Sequence, residues 1–393
     1  MTSTPATYPV PHGAEQGVGV PADGRERSAA RVDTDRDGGA LVARVTLQTI
    51  ADRVGVSRMT VSNAFSRPDQ LSAEMRRTIL DAAAELGYVG PDPSARALAR
   101  GTTGAVGVLL TESVGAAFRD PIAAAFFGAV AEELAPTGLA VVLLPAAGAE
   151  GMIPARDIPM DAALVYGCAA DYPAVDWLVR RRLPLVFVDG DPRPGAASVV
   201  LDEREGARLA AQHLLDLGHR HVATFTMNSE VPPGWAPDAA TAASGFVARE
   251  RQRGWVETLA AGGVTPVTYE LVDNMEPHAS EAARALLAGD TPPTAVLCFS
   301  DLMAAAVVHA AEERGLRVPE DLSVVGYDDA PLARRLRPSL TTVHQDFEAK
   351  GKAAAGALTR SIASNRAGNP PDSAQHMVPV TLVVRESTAP PAP

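Results

Sequence analysis

The chain has 393 residues, 46% hydrophobic and 21% charged, with a formal net charge of −12. This composition suits two or three globular domains with a sizeable core, and no run approaches the ~18 apolar residues of a membrane span. The charge is uneven: residues 44–101 hold eight arginines and six acids, a locally basic module of +2 beside a remainder of −14. That pattern fits a nucleic-acid-binding head on a larger acidic sensor.

Residues 1–43 are rich in Pro, Gly, Ala, Asp and Arg without any period, so they are expected to be disordered. The opening MTSTPATYPVPHGAEQGV has neither a basic flank nor an apolar stretch, which predicts no secretory signal and a cytoplasmic protein. Order is predicted to begin at VTLQTIADRVGVS, where Leu47, Ile50, Ala51 and Val54 follow helical spacing behind Thr46 as N-cap. Gly55 supplies a turn, and Ser57 caps a second helix running to about Phe65. SRPDQLS reads as a loop. Ser72 caps a third helix with a stripe of Met75, Ile79, Ala82 and Leu86, ending at Gly87. This is a helix-turn-helix pattern, whose second helix enters the DNA major groove. Its predicted exposed face is Ser57, Arg58, Met59, Thr60, Ser62 and Asn63. Such short donors and acceptors suit base edges and phosphates; the same face also suits the solvated side of a small helical domain.

In GPDPSARALARGTTG, 90–104, Pro91 and Pro93 break the preceding helix. SARALAR allows two helical turns, too few to stand alone in water. With Leu98 flanked by Arg96 and Arg100, it is either a linker or a helix that orders on a minor groove, Leu98 acting as wedge.

From 104 the pattern alternates between strands and Ala-rich helices. Strands are predicted near 105–110, 140–144, 162–167, 184–189, 198–200, 221–227, 266–272, 294–300, 323–328 and 379–385, with Ala-rich helices between them, for example at 121–135, 203–217, 245–261, 279–288 and 301–314. Apolar strands alternating with helices mean parallel sheets covered on both faces, and so many strands predict two α/β lobes. Ligands in such sheets bind beyond the carboxyl ends of strands, which singles out Thr111, Asp189, Ser300 and Asp328. Cys168 and Cys298 lie far apart in apolar stretches and read as buried thiols. His213, His219 and His221 read as a helix face, its end and a strand start rather than a metal cluster. Gly101, Gly104 and Gly107 lack the phosphate-loop spacing. Asp328 and Asp329 are adjacent on a strand end and point apart, which disfavours a catalytic pair. No nucleophile elbow, Walker loop or zinc spacing is present, so no enzymatic activity, cofactor or metal is expected.

The head VTLQTIADRVGVSRMTVSNAF, the ARAL segment, and AAQHLLDLGHRHVA, VPEDLSVVGYDDAPLA, PSLTTVHQDF and VVREST in the body together resemble the LacI/GalR family of bacterial transcription regulators over about 45–387. The resemblance implies an all-α helix-turn-helix head and a two-lobed α/β sensor like the periplasmic binding proteins, with parallel sheets. The implied divisions are 1–43 tail, 44–90 head, 91–103 hinge, 104–387 sensor and dimerisation domain, and 388–393 disordered tail. By position, Arg58, Met59 and Asn63 match residues that meet bases. Thr46, Ser57, Thr60, Ser62 and Gln70 match residues that meet phosphates or the groove edge, and Leu98 matches the hinge leucine, beside Arg96. Asp189, Ser300 and Asp328, joined by Arg251 and Gln345, match effector-pocket positions, a set suited to the hydroxyls of a sugar or nucleoside. TESVGAAFRDP is not diagnostic: Thr111, Phe118 and Asp120 either touch ligand or belong to a simple loop. The chain departs from the family at Ser66, where Asn is usual, at Asn63, where Arg is frequent, and at Ser300, where Asn is common. The implied partners are a double-stranded operator, a small-molecule effector and a second copy of the chain, with no membrane, and repression is the favoured sign. The competing reading is a periplasmic-type solute-binding protein without DNA function.

Overall fold

The computed structural model describes residues 45–90, 92–110, 114–145, 151–167, 172–237, 245–289, 291–370 and 372–392. The expected tail at 1–43 lies outside them. The chain divides into two compact units, Met1–Pro91 and Asp92–Pro393.

The first unit contains α1 (Leu47–Val54), α2 (Arg58–Ser66) and α3 (Ala73–Glu85). Each helix starts on a hydroxyl cap. Thr46 and Thr49 cap reciprocally, Ser57 accepts from Thr60 N at 3.0 Å, and Ser72 accepts from Met75 N at 3.2 Å. Such caps satisfy otherwise orphaned N–H groups and are typically worth ~1 kcal/mol each. Gly55 ends α1 with φ 74°, the left-handed region that favours glycine. Ile50, Ala51, Val61, Ala64, Ile79, Ala82 and Ala83 form the buried core, with Phe65 and Tyr88 meeting edge-on at its margin. Met75 is exposed rather than part of the predicted stripe, because the first turn of α3 contributes no buried residue.

The second unit begins with α4 (Pro93–Arg100) and β1 (Ala105–Leu110), followed by α5 (Val114–Arg119), α6 (Pro121–Leu134), β2 (Ala140–Pro145) and α7 (Pro154–Asp157). Next come β3 (Ala162–Tyr166), α8 (Pro173–Arg180), β4 (Leu185–Val188), β5 (Ala197–Leu201), α9 (Glu203–Asp216), β6 (Val222–Met227) and β7 (Gly234–Trp235). Then follow α10 (Phe246–Ala261), β8 (Val267–Leu271), α11 (Glu276–Leu287), β9 (Ala295–Cys298), α12 (Asp301–Glu313), β10 (Ser323–Asp328) and α13 (Pro331–Arg335). The last elements are β11 (Thr341–Gln345), α14 (Phe347–Arg366), β12 (Gln375–Val378) and β13 (Val380–Val383).

The strands make two sheets, ordered β12-β5-β4-β3-β1-β2 and β13-β11-β10-β9-β6-β8-β7. All pairings are parallel except β11 with β13 and β7 with β8. The apolar strands are buried nearly end to end, as sheets covered on both faces require. Each sheet centres one lobe, and the chain crosses between lobes three times. It leaves β5 at Asp202 to enter α9, leaves β11 at Asp346 to enter α14, and passes from β12 to β13 at Pro379. The first and third crossings are tied together where Asp202 N donates to Val378 O at 3.1 Å.

Several regions differ from the sequence reading. The strand expected over 379–385 is present as β13, which pairs with β11, but the reading places no strand just before it, where β12 pairs with β5 in the other lobe. The reading assigns no strand to TTVHQ, yet β11 lies there, and it singles out no helix between 347 and 366, where the 20-residue α14 runs. The helix hides its period because small residues do the packing: a Cβ on Gly351 would stand 2.5 Å from Ala129 Cβ and 3.0 Å from Phe126 O of α6. The chain end is not loose after 387. Ala389 N donates to Ser323 Oγ at 3.0 Å, Thr388 Oγ1 meets His213 Nε2 at 2.9 Å, and Ala389 O accepts from His219 Nε2 at 2.9 Å. The two histidines thus hold the C-terminal segment against the second lobe.

Candidate functional site

In the first unit, α2 turns Val61 and Ala64 into the core. That places Ser57, Arg58 and Met59 in solvent, Met59 at 69% exposure, while Thr60, Ser62 and Asn63 are half-buried rather than fully exposed. Ser57 and Thr60 share a hydroxyl contact of 2.8 Å, and Asn63 Nδ2 donates to Gln70 Oε1 at 3.1 Å. Asn63 and Gln70 therefore orient one another. Thr46 is exposed at the start of α1. In the second unit, α4 leaves Arg96 and Arg100 exposed and Leu98 at 87% exposure. An isolated apolar side chain on a two-turn helix gains nothing from water; burial against a partner would stabilise it by ~1.5–3 kcal/mol.

Between the lobes of the second unit lies a cleft of about 520 Å³, lined by Asp189, Arg251, Ser300, Asp328 and Gln345 of the expected set. Thr111 lies outside the described residues. Phe118 is exposed, whereas Asp120 lines the cleft and caps α6 by accepting from Ile122 N at 2.9 Å. Asp189 follows β4 and Asp328 ends β10, so the two carboxylates come from the carboxyl ends of strands in opposite lobes. Their backbones have φ 55° and 121°, conformations that side-chain-bearing residues rarely adopt. Strain held at facing positions in a cleft is a mark of a site whose geometry matters.

Arg251 on α10 is 3% exposed. Its Nε donates to Glu203 Oε2 at 2.7 Å, Nη1 donates to Phe299 O and stands 3.9 Å from Asp328 Oδ1, and Tyr327 lies 3.6 Å beneath the guanidinium. Burial works against its charge, but Glu203, Tyr327 and Asp328 outweigh burial and raise its pKa further. Burial pushes Asp328 well above the usual carboxylate range, with Arg251 opposing, and Gln345 Nε2 donates to its Oδ1 at 2.5 Å. Across the cleft, Lys350 Nζ donates to Asp189 Oδ2 at 2.6 Å; burial raises the Asp189 pKa and Lys350 opposes the rise. Asp189 Oδ1 is buried with no hydrogen-bond partner. Ser300 also lines the cleft, but its hydroxyl is committed: it accepts from Met303 N at 3.1 Å as the cap of α12 and donates to Asn274 Oδ1 at 2.7 Å. Asn274 lines the cleft as well, so the serine hydroxyl is tied to a second cleft residue.

The sequence reading missed Glu203, Asn274 and Lys350. One signal for Lys350 was present: the chain has 33 arginines and two lysines, both in α14. Its compact ammonium, on a slender stem, lies in a buried niche among the rings of Phe126, Tyr166 and Phe347.

Residues 46–91 match the family model described as bacterial regulatory proteins, lacI family, and 211–388 match the periplasmic binding protein-like domain. An HTH-type transcriptional regulator of Mycolicibacterium smegmatis is 36% identical over 371 residues, 89% of this chain and 98% of its own. The HTH-type transcriptional regulator IpsA of Corynebacterium glutamicum is 35% identical over 328 residues, 81% of this chain and 91% of its own. Among solved structures, the CelR–cellobiose complex superposes with a TM-score of 0.62 at 29% identity, covering 88% of this chain and 100% of that one. The Lac repressor dimer bound to operator and the anti-inducer ONPF superposes with a TM-score of 0.70 at 26% identity, covering 88% and 99%. The α-helical head, the two-lobed body and these similarities lead to one conclusion: the chain belongs to the lacI family of bacterial regulatory proteins.

Proposed function

We propose that this regulator binds a pseudo-palindromic DNA operator as a homodimer and that a sugar or nucleoside-like molecule in the cleft sets its affinity. In this reading Arg58, Met59 and Asn63 meet base edges, Thr46, Ser57, Thr60, Ser62 and Gln70 meet phosphates or the groove edge, and Leu98 wedges the minor groove beside Arg96. Asp189, Arg251, Asp328 and Gln345 hold the effector, with Ser300 acting through Asn274. Thr111 stays in the proposed effector set on sequence grounds alone. The observation that carries the reading is one chain with a capped helix-turn-helix bearing short polar side chains and a two-lobed body with a polar cleft.

The three crossings at Asp202, Asp346 and Pro379 are narrow joints between lobes. A ligand touching both Asp189 and Asp328 favours one closure of those joints and so shifts a pre-existing equilibrium. Coupling to DNA is then reciprocal and typically ~1–3 kcal/mol. We assign repression relieved by effector, no catalytic step, and a cytoplasmic location, where the DNA partner is. The solute-binding alternative leaves the exposed face of α2 without a role.

The test is a fluorescence anisotropy titration of the full chain against genomic fragments enriched by in vitro selection. A regulator binds a two-fold symmetric site with affinity that falls steeply as salt rises, because each neutralised phosphate releases counterions. A solute-binding protein binds none of the fragments.

A further inference from the structure

We propose that the cleft accepts an uncharged, hydroxyl-rich ring and rejects the phosphorylated or carboxylated form of the same molecule; this rests on the effector reading above. Charge in the cleft is one-sided. Among the described residues, six carboxylates line the cleft, including Asp120, Glu230 and Asp273 besides those already described, against two cations, Arg251 and Lys350. Both cations are already engaged: Arg251 with Glu203 at 2.7 Å and Lys350 with Asp189 at 2.6 Å. No cation can be added from the undescribed stretches of the second unit, since 111–113, 146–150, 168–171, 238–244, 290, 371 and 393 contain neither Lys nor Arg. With Asp189 and Asp328 both protonated, the remaining carboxylates still outnumber the cations.

The first turn of α10, from Gly245 to Ala248, also lines the cleft and has no side-chain cap. Its N–H groups suit a hydroxyl, and the roughly half-charge of a helix N-terminus does not offset this excess of carboxylate. The polar groups left over ask for ligand donors as well. Asp189 Oδ1 is buried without a partner, and a hydroxyl or ring N–H can donate to it, whereas a phosphate dianion or carboxylate cannot. Tyr172, Phe246 and Phe299 add flat apolar walls, which suit the face of a ring. A like charge placed beside such carboxylates is the usual means of rejecting a near-identical molecule.

The experiment uses matched pairs on the full chain: glucose with glucose 6-phosphate, ribose with ribose 5-phosphate, cellobiose with its phosphate ester, and adenosine with AMP, plus inorganic phosphate. Binding is followed by thermal shift and then by calorimetry. The expected result is that a neutral member binds and its phosphate ester binds more than about a hundredfold more weakly. Asp120→Asn should narrow that gap, since Asn also caps a helix and the fold is kept. An ester or inorganic phosphate that binds as tightly as the neutral partner, or tighter, overturns the proposal and leaves the effector reading standing. A panel in which neither set binds overturns the effector reading itself.

Discussion

Arg251 offers the sharpest energetic prediction. Replacing it with Met keeps the apolar stem and removes the charge that faces Glu203 at 2.7 Å and Asp328 at 3.9 Å. Glu203 is 2% exposed, so its carboxylate would lose its counter-charge where water cannot replace it. Breaking a buried pair by removing one partner costs about 3–5 kcal/mol. Over a unit of about 300 residues, with an unfolding entropy near 2.1 cal/mol/K per residue, that is a fall of roughly 5–8 °C in melting temperature. Calorimetry and urea unfolding of R251M measure it. The double variant E203Q/R251M has neither charge, so it should recover about 1–3 kcal/mol relative to the sum of the single changes. A fall under about 2 °C, or strictly additive single and double variants, would refute the claim that this cation is held by its carboxylates.

Four further outcomes are expected. Asp301 is buried, and its pKa is raised from 3.8 to about 7 by burial. The folded state therefore binds the proton more tightly, so its stabilisation is complete below the unfolded pKa and fades as pH rises through about 7. Asp301→Asn, whose amide can still pair with Thr342 Oγ1 and Ala330 N, should flatten a slope worth on the order of 4 kcal/mol across that window; a urea-unfolding profile parallel to wild type from pH 4 to 7 argues against it. Gly254→Ala puts a Cβ 2.4 Å from Arg204 O and 2.7 Å from Ala207 Cβ, so α9 and α10 must part at a cost of about 1–3 kcal/mol, read by urea unfolding. Leu98→Ala should weaken specific DNA binding at least tenfold (about 1.4 kcal/mol) and leave cleft ligands unaffected; unchanged operator affinity removes the wedge role. Asp328→Ala should abolish the effector response in the anisotropy assay while operator binding persists, and a wild-type response would move the effector elsewhere.

The head was legible because its signals are local. Thr46, Ser57 and Ser72 each act within three residues, Gly55 turns the chain by itself, and the core residues follow helical spacing. The two α/β lobes were legible for a similar reason: strands buried on both faces are short apolar runs. What escaped depends on distant neighbours. Nothing in the local sequence sends β12 and β13, one residue apart, into different sheets. Glu203 sits on an amphipathic helix like many glutamates, and its partner Arg251 is 48 residues away. Lys350 meets Asp189 across 161 residues. Ser300 was singled out correctly as lying beyond a strand, but only the fold shows that Asn274 takes its hydroxyl. Caps and apolar runs are written locally, whereas a cleft is assembled by tertiary approach.

The central claim is that one chain joins operator binding to a ligand in its cleft. The most direct test is to select genomic fragments with the purified full chain, then titrate the enriched fragment by anisotropy with and without a ligand found by thermal shift. The account predicts a two-fold symmetric site whose affinity changes by roughly 5–150-fold when ligand is added. An enriched site whose affinity is the same with the cleft empty or saturated would contradict it.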